Sequence, residues 1–148
     1  MKTNILRRAT GLISVLVLLA ALLTTSASAV PSGSIAFSVP FDFSVAGKTL
    51  PAGDYLVVRS TLNSNDILSV RRVDGHEGVY VLTSPVRARE IQNDSKLVFN
   101  RYENKYFLTE FWTSGEDSGR KVIKSEAEQS LAKAGTKAER VAIALAKK

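Results

Sequence analysis

The chain has 148 residues and no cysteine, and its 20 Lys and Arg against 14 Asp and Glu give a formal net charge of +6 at pH 7. Without cysteine there is neither a disulfide scaffold nor a lipid-modified cysteine, so we expect no lipoprotein anchor and a domain held together by its core. Three basic residues and no acid precede residue 30, so residues 30–148 carry only (20 − 3) − 14 = +3. This mild bias gives no support to a nucleic-acid partner.

The first 29 residues have the pattern of a cleavable secretory signal peptide. A basic start is followed by an apolar run over 12–23 and then by small residues that end in Ala27 and Ala29, directly before Val30. Signal peptidase accepts only small side chains at the two alanine positions, which predicts cleavage after Ala29. The apolar run has about a dozen residues, whereas a spanning helix needs about 20, so we expect no membrane anchor after cleavage. The sequence thus predicts one exported β-rich domain at 30–148, periplasmic or extracellular.

The domain begins with a strict alternation of apolar and other residues, which predicts a strand. Six apolar side chains fall on one of its faces: Ile35, Phe37, Val39, Phe41, Phe43 and Val45. The other face carries Asp42, which we expect to be exposed to solvent. Pro40 lacks a backbone donor, so this strand should lie at a sheet edge or bend there. Turn residues separate three further predicted strands, at about 55–59, 67–73 and 79–83; one of these turns is 63–66.

The clearest hairpin lies at 96–113, and its loop is predicted to be the two residues Glu103 and Asn104. In that register Phe99 faces Leu108, and Val98 faces Thr109. Aromatic side chains then occupy both faces, with Phe99, Tyr106, Leu108 and Trp112 on one and Tyr102, Phe107 and Phe111 on the other. A hairpin that is apolar on both sides is normally covered on both sides, so we expect a helix, a second sheet or a partner over the second face.

A helix is predicted at about 126–134. Ser125 and Glu128 have the spacing of a capping box at its start, and Gly135 is a natural stop. The segment 114–121 before it reads as a polar loop.

The last segment is open to two interpretations. The alternation of Val141 and Ile143 with alanines favours a final strand at 140–146, whereas the Ala and Lys content favours a second helix from Thr136. Together these elements indicate a mainly β fold: a small antiparallel sandwich or partly closed barrel of six to seven strands with one helix near the C-terminus.

Three stretches carry a resemblance to a known family. They are VPFDFSVAGKTLPAGDY at 39–55, KLVFNRY at 96–102 with YFLTE at 106–110, and Gly119-Arg120 leading into KSEAE at 124–128. In this motif set the chain resembles an uncharacterised family of small exported β-rich proteins of acidobacterial type. The resemblance covers most of 30–148 in order. It implies export and a β-rich fold, and it brings no activity, cofactor or binding residues.

Few residues are candidates for catalysis or metal binding. His76 is the only histidine, and it lies in the turn 74–78, where neighbouring side chains rarely converge on a metal, so we expect a structural turn, no metal site and no cofactor. Asp42 and Glu110 are the candidate carboxylates of a small hydrolase. Glu110 shares a predicted face with Leu108 and Trp112, and if that face is buried, its pKa should rise or it should pair with Lys or Arg. Arg101 is not its natural partner, since it is about four strand residues away, or about 13 Å.

Four aromatic side chains of the hairpin are candidate ligand-binding residues: Tyr102, Tyr106, Phe111 and Trp112. They would form a platform for a sugar or another flat apolar ligand, and core packing is the competing interpretation. The leading functional hypothesis is an exported, non-enzymatic binding or envelope-associated module. It predicts an apolar, aromatic-bearing surface or cavity next to the 96–113 hairpin. The alternatives are the small hydrolase and a structural subunit that associates with copies of itself.

Overall fold

The computed structural model describes residues 33–59 and 66–145. The predicted signal peptide at 1–29, its cleavage site at Ala27, Ala29 and Val30, and all but the last residue of the predicted turn at 63–66 lie outside the described residues. The described part has ten strands and one helix: β1 (Ser34–Val39), β2 (Phe43–Val45), β3 (Lys48–Leu50), β4 (Gly53–Arg59), β5 (Ile67–Arg72), β6 (Gly78–Arg87), β7 (Lys96–Tyr102), β8 (Lys105–Trp112), β9 (Ser118–Val122), α1 (Glu126–Lys133) and β10 (Glu139–Ala144).

The prediction of a mainly β fold with one C-terminal helix is confirmed, and there are more strands than expected. The first alternating run is divided near Pro40 into β1 and β2. A tight turn at Ala46 and Gly47, both with positive φ, then adds the short strand β3. The polar segment 114–121, predicted as a loop, contains most of β9, because pairing with β6 and β8 stabilises a strand that its own sequence does not favour.

The strands form one mixed sheet that is not closed. The path β1-β4-β5-β6-β9-β8 is antiparallel throughout, and β7 followed by β10 continues it on the other edge of β8. Strand β8 pairs with β9 near its end and with β2 near its start. The pairing with β2 is the only parallel one within the described residues. β10 and β1, the two ends of the path, lie next to each other.

One side of the sheet packs on an apolar core. Phe43 packs edge-on against Tyr55 and Phe99, with ring centroids 5.2 and 5.4 Å apart. The final segment is a strand, which is one of its two predicted structures. This strand, β10, pairs with β7, and the side chain of Ile143 packs against the core. Arg140 and Ala142 therefore lie on the opposite, outer face of the sheet, because side chains alternate along a strand.

One extra residue in β8 decides which face the last side chains of that strand occupy. The loop at Glu103 and Asn104 and the pairing of Phe99 with Leu108 are as predicted. The predicted pairing of Val98 with Thr109 is wrong: Val98 pairs with Glu110, and Thr109 is the extra residue of a β-bulge. Its hydroxyl donates a hydrogen bond to the Val98 carbonyl, at 2.9 Å.

The bulge exchanges the two faces for every residue that follows it. Phe111 therefore lies in the core with Leu108, whereas Glu110 and Trp112 lie on the outer face. The faces predicted for Phe111 and Trp112 are thus wrong, and so is the prediction that Glu110 shares the face of Leu108.

The outer face of the hairpin is covered in two places, as its aromatic content led us to expect. Over one end lies α1, whose Glu128 is buried and accepts a hydrogen bond from Asn100 Nδ2, at 2.8 Å. Over the other end lies the segment 88–95, which contributes Ala88 and Gln92 to the surroundings of Trp112. A cleft remains beside each cover.

Candidate functional site

The larger cleft, which we call the helix cleft, has a volume of about 620 Å³ and lies between α1, the β2–β3 hairpin and the start of β8. Its apolar lining consists of Phe43, Gly47, Tyr106, Phe107, Ala127 and Leu131. Its polar lining consists of Asp42, Ser44, Thr49, Asn104, Lys105, Ser125 and Ser130. Apolar walls with a few polar groups are typical of small-molecule sites.

Local sequence explains how α1 forms the wall of this cleft. Ser125 caps the helix by accepting a hydrogen bond from the backbone N–H of Glu128, at 3.3 Å. Ala127 and Leu131 are four residues apart, so they share one face of the helix, which borders the cleft. Glu128 anchors the helix to β7 through Asn100. The wall is therefore held at its first turn by a partly buried hydrogen bond.

Tyr106 is held firmly at the edge of the helix cleft. Its ring stacks on that of Phe41, with centroids 3.8 Å apart and planes inclined by 14°. The guanidinium carbon of Arg101 lies 5.9 Å from the centre of the same ring, within the range of a cation–π contact. Phe41 in turn packs edge-on against Phe99 in the core. Tyr106 thus lines the cleft with a ring that Phe41 and Arg101 hold in place.

Asp42 lies at the rim of the helix cleft and is exposed, as the strand alternation predicts. Its Oδ1 accepts a hydrogen bond from the backbone N–H of Ala52, at 2.8 Å. The carboxylate thus ties the segment before β2 to the turn before β4.

The smaller cleft, which we call the Glu110 cleft, has a volume of about 300 Å³ and lies on the outer face of β7, β8 and β10. It is lined by Ala88, Gln92, Lys96, Val98, Glu110, Trp112, Arg140 and Ala142. Cross-strand registers order its residues: Ala142 lies opposite Val98, Val98 opposite Glu110, and Lys96 opposite Trp112. The aliphatic Val98 and Ala142 therefore form a small apolar floor, and polar groups supply most of the lining surface.

Glu110 is the most buried charged group in this cleft, with 7% of its surface exposed. Its Oε2 accepts two hydrogen bonds, from Trp112 Nε1 at 2.9 Å and from Arg140 Nη2 at 2.8 Å. The prediction that a buried Glu110 would pair with Lys or Arg is confirmed. Arg101 is not the partner, as expected, and lies 3.4 Å from Glu139 instead.

The four predicted aromatic residues do not come together in one place. Tyr102 packs against Phe107 beneath the helix, with centroids 5.8 Å apart. Tyr106 lines the helix cleft, and Trp112 lines the Glu110 cleft. Phe111 lies in the core, edge-on to Phe37. The reason is the bulge at Thr109, which sends Phe111 and Trp112 to the faces opposite those predicted.

Sequence reasoning did not identify Leu131 or Arg140 as lining residues. The i, i+4 spacing of Ala127 and Leu131 inside the predicted helix was a signal for the first. Arg140 was the polar residue at the start of the final alternating run, on the face opposite Val141. Only the tertiary structure brings it to Glu110, which is 30 residues away in sequence.

His76 lies in the exposed turn between β5 and β6, where its backbone N–H donates to Asp74 Oδ1 at 3.1 Å. This hydrogen bond and the nearby Arg72 hold the pKa of the Asp74 carboxyl below its usual value.

No group of three His, Cys, Asp or Glu side chains within 33–59 and 66–145 is arranged to hold a metal ion. In the same part of the chain, no helix has the length and apolarity needed to cross a bilayer. Comparison of the chain with protein-family models, curated proteins and solved structures finds no match.

Proposed function

We propose that this protein is an exported, non-enzymatic binding module that takes a neutral, largely apolar small molecule in the helix cleft. The observation that carries the proposal is the cleft itself, an opening of about 620 Å³ with an aromatic and aliphatic lining directly beside the hairpin. Ligand pockets commonly span about 300–1,000 Å³. The sequence pattern of residues 1–29 and the family resemblance support export.

The lining explains why the ligand should be neutral. Asp42 and Lys105 are its only charged members, and their charges cancel. The other polar groups are one amide, of Asn104, and hydroxyls, among which Ser44 and Thr49 lie 3.2 Å apart. Hydroxyls accept and donate hydrogen bonds without adding charge, so they suit a ligand with a hydroxyl or carbonyl group on an apolar body.

The hydrolase alternative receives no support from the two carboxylates. A two-carboxylate mechanism needs both groups across one cleft, about 5–10 Å apart. Asp42 lines the helix cleft, whereas Glu110 lines the other cleft and is neutralised by Arg140. Each carboxylate also has a structural role as a hydrogen-bond acceptor.

The test is binding of the neutral fluorescent probe N-phenyl-1-naphthylamine to the exported protein. Leu131→Lys places a charge in the cleft at a half-buried helix position, and should weaken binding about tenfold or more because the charge must be desolvated. Leu145→Lys is the matched control, since Leu145 is 39% exposed and does not line the cleft. Equal binding by the two variants, or no saturable binding by the original protein, would contradict the proposal.

One observation favours self-association as a second candidate function. Tyr80, Leu82 and Ile123 are 76%, 61% and 58% exposed; the first two lie on the outer face of β6, and Ile123 directly follows β9. Leu82 and Ile123 are adjacent, since the Ile123 N–H donates to the Leu82 carbonyl at 3.3 Å. Sedimentation should show a concentration-dependent dimer that Leu82→Glu abolishes, and a monomer at every concentration would exclude this role.

A further inference from the structure

We propose that the Glu110 cleft is a second binding site, which takes a small organic carboxylate with an apolar body. The inference does not depend on the ligand of the helix cleft, because the two clefts have no lining residue in common. It rests on three observations: an oriented arginine, an excess of positive charge and an apolar floor.

The first observation is the orientation of Arg140. Its side chain is 62% exposed, yet one guanidinium nitrogen is held 2.8 Å from the buried carboxylate of Glu110. That carboxylate is fixed in turn by the indole N–H of Trp112, at 2.9 Å. A guanidinium has five N–H donors in a rigid plane. The bond to Glu110 therefore restricts the guanidinium through Nη2 alone, and the N–H groups on its other two nitrogens remain available to a ligand.

The free-energy cost of burying Glu110 also supports a role for the Glu110–Arg140 pair in positioning the arginine. Removing a carboxylate from water is unfavourable, and an exposed arginine returns little of the lost hydration energy. The Glu110–Arg140 pair therefore contributes little to the stability of the fold. It does position the Arg140 guanidinium, since Trp112 restricts the Glu110 carboxylate and that carboxylate restricts Arg140.

The second observation is the charge of the cleft. Lys96 and Arg140 carry two positive charges against one negative charge on Glu110, so the lining has a net charge of 2 − 1 = +1. Arg140 lies opposite Asn100, four residues from Lys96 along β7, which is about 13 Å. The two cations therefore flank the cleft from its two ends. Lys121 lies opposite Glu110 on β9 and adds to the positive potential.

The third observation is a small apolar patch between those cations, in a lining whose surface is mostly polar. Val98 and Ala142 form the floor, and Trp112 forms part of the wall. The indole lies directly against Gly119, whose absent side chain leaves room for it. Arginine matches the geometry of a carboxylate with two parallel hydrogen bonds, and the floor and indole would contact the body of the acid. A volume of about 300 Å³ limits the ligand to a small acid.

The experiment titrates the full protein with benzoate and, as an uncharged probe of the same shape, benzamide. Trp112 is the only tryptophan of the chain and lines the cleft, so its fluorescence reports occupancy directly. We expect saturable binding of benzoate and at least tenfold weaker binding of benzamide. Arg140→Gln should weaken benzoate binding about tenfold or more. Arg101→Gln is the matched control, since Arg101 is a strand arginine paired with Glu139 outside this cleft, and should have no effect.

The possible results are distinct. No saturable response to benzoate, equal binding of benzamide, or equal weakening by the two arginine variants would overturn the proposal. Tighter binding of inorganic phosphate than of benzoate would overturn the assignment to carboxylates. Leu131→Lys, which tests the helix cleft, should leave benzoate binding unchanged, so failure of one proposal is distinguishable from failure of the other. Circular dichroism confirms that each variant is folded.

Discussion

Gly119→Ala tests the packing on which the outer face of the hairpin depends. A Cβ at residue 119 would lie 2.6 Å from Trp112 Cε3 and 2.9 Å from the backbone oxygen of Phe111. Ordinary contact begins at 3.4 Å, so the indole would have to move by 3.4 − 2.6 = 0.8 Å. Trp112 is 94% buried and its N–H is bound to Glu110, so it has little freedom to do so.

The magnitude follows from these contacts. Overpacking costs about 1–3 kcal/mol, and weakening the hydrogen bond from Trp112 to Glu110 adds about 1 kcal/mol. We expect Gly119→Ala to lower the free energy of unfolding by about 2–4 kcal/mol. Urea unfolding followed by the emission of the only tryptophan, Trp112, measures this directly.

Gly78→Ala is the matched control. Gly78 is also a strand glycine without a positive φ, and its new Cβ would lie 3.4 Å from the side chain of the exposed Arg71. The unfolding free energy should change by less than about 0.5 kcal/mol. Equal urea midpoints for the two variants would refute the reasoning. In a Trp112→Leu background, followed by circular dichroism, the cost of Gly119→Ala should fall, because the two effects share one contact.

Three further predictions concern single hydrogen bonds. The Tyr55 phenol donates a hydrogen bond to the Pro51 carbonyl, and burial raises its pKa. The protonated phenol therefore contributes fully to stability at neutral pH. That contribution is lost as the pH rises from the pKa of the unfolded chain, about 10, to the raised pKa of the folded protein. Tyr55→Phe should cost about 1 kcal/mol at pH 7 and lose less stability than the original protein in melts at about pH 11; an unchanged alkaline loss would refute the assignment. Ser125→Ala should lower stability by about 1 kcal/mol through loss of the helix cap, as measured by thermal melting, whereas no change would mean that the cap is dispensable. A double-mutant cycle of Glu110→Gln and Arg140→Met should show a coupling of about 1 kcal/mol or more, and additive losses would mean that the pair does not interact in solution.

The local pattern was sufficient for many elements of the fold. The alternation from Ile35 and the alternation around Ile143 both correspond to strands, and the hairpin loop at Glu103 and Asn104 is where the turn residues placed it. The helix begins after Ser125, as the capping box predicts. These features depend on backbone preferences and on side chains within a few residues of one another, so they can be recognised in the chain itself.

The candidate sites depended on contacts that the local pattern does not contain. Sequence reasoning placed Tyr106 and Trp112 on one face of the hairpin, in a single aromatic platform, whereas they line two different clefts. It predicted a basic partner for Glu110 and had no means to choose Arg140, because β10 reaches β7 only in the folded sheet. The partner of a buried charge is selected by strand order, which is a property of the whole domain.

The sequence by itself thus determined the class of fold, the position of the helix and the apolar faces of the early strands, and it predicts export. The tertiary structure alone decided the outer face of the hairpin. A bulge at Thr109 makes two residues of β8 oppose one of β7, and its hydroxyl binds the Val98 carbonyl. Because strand side chains alternate with a period of two, one inserted residue moves Phe111 into the core and places Glu110 and Trp112 outside it.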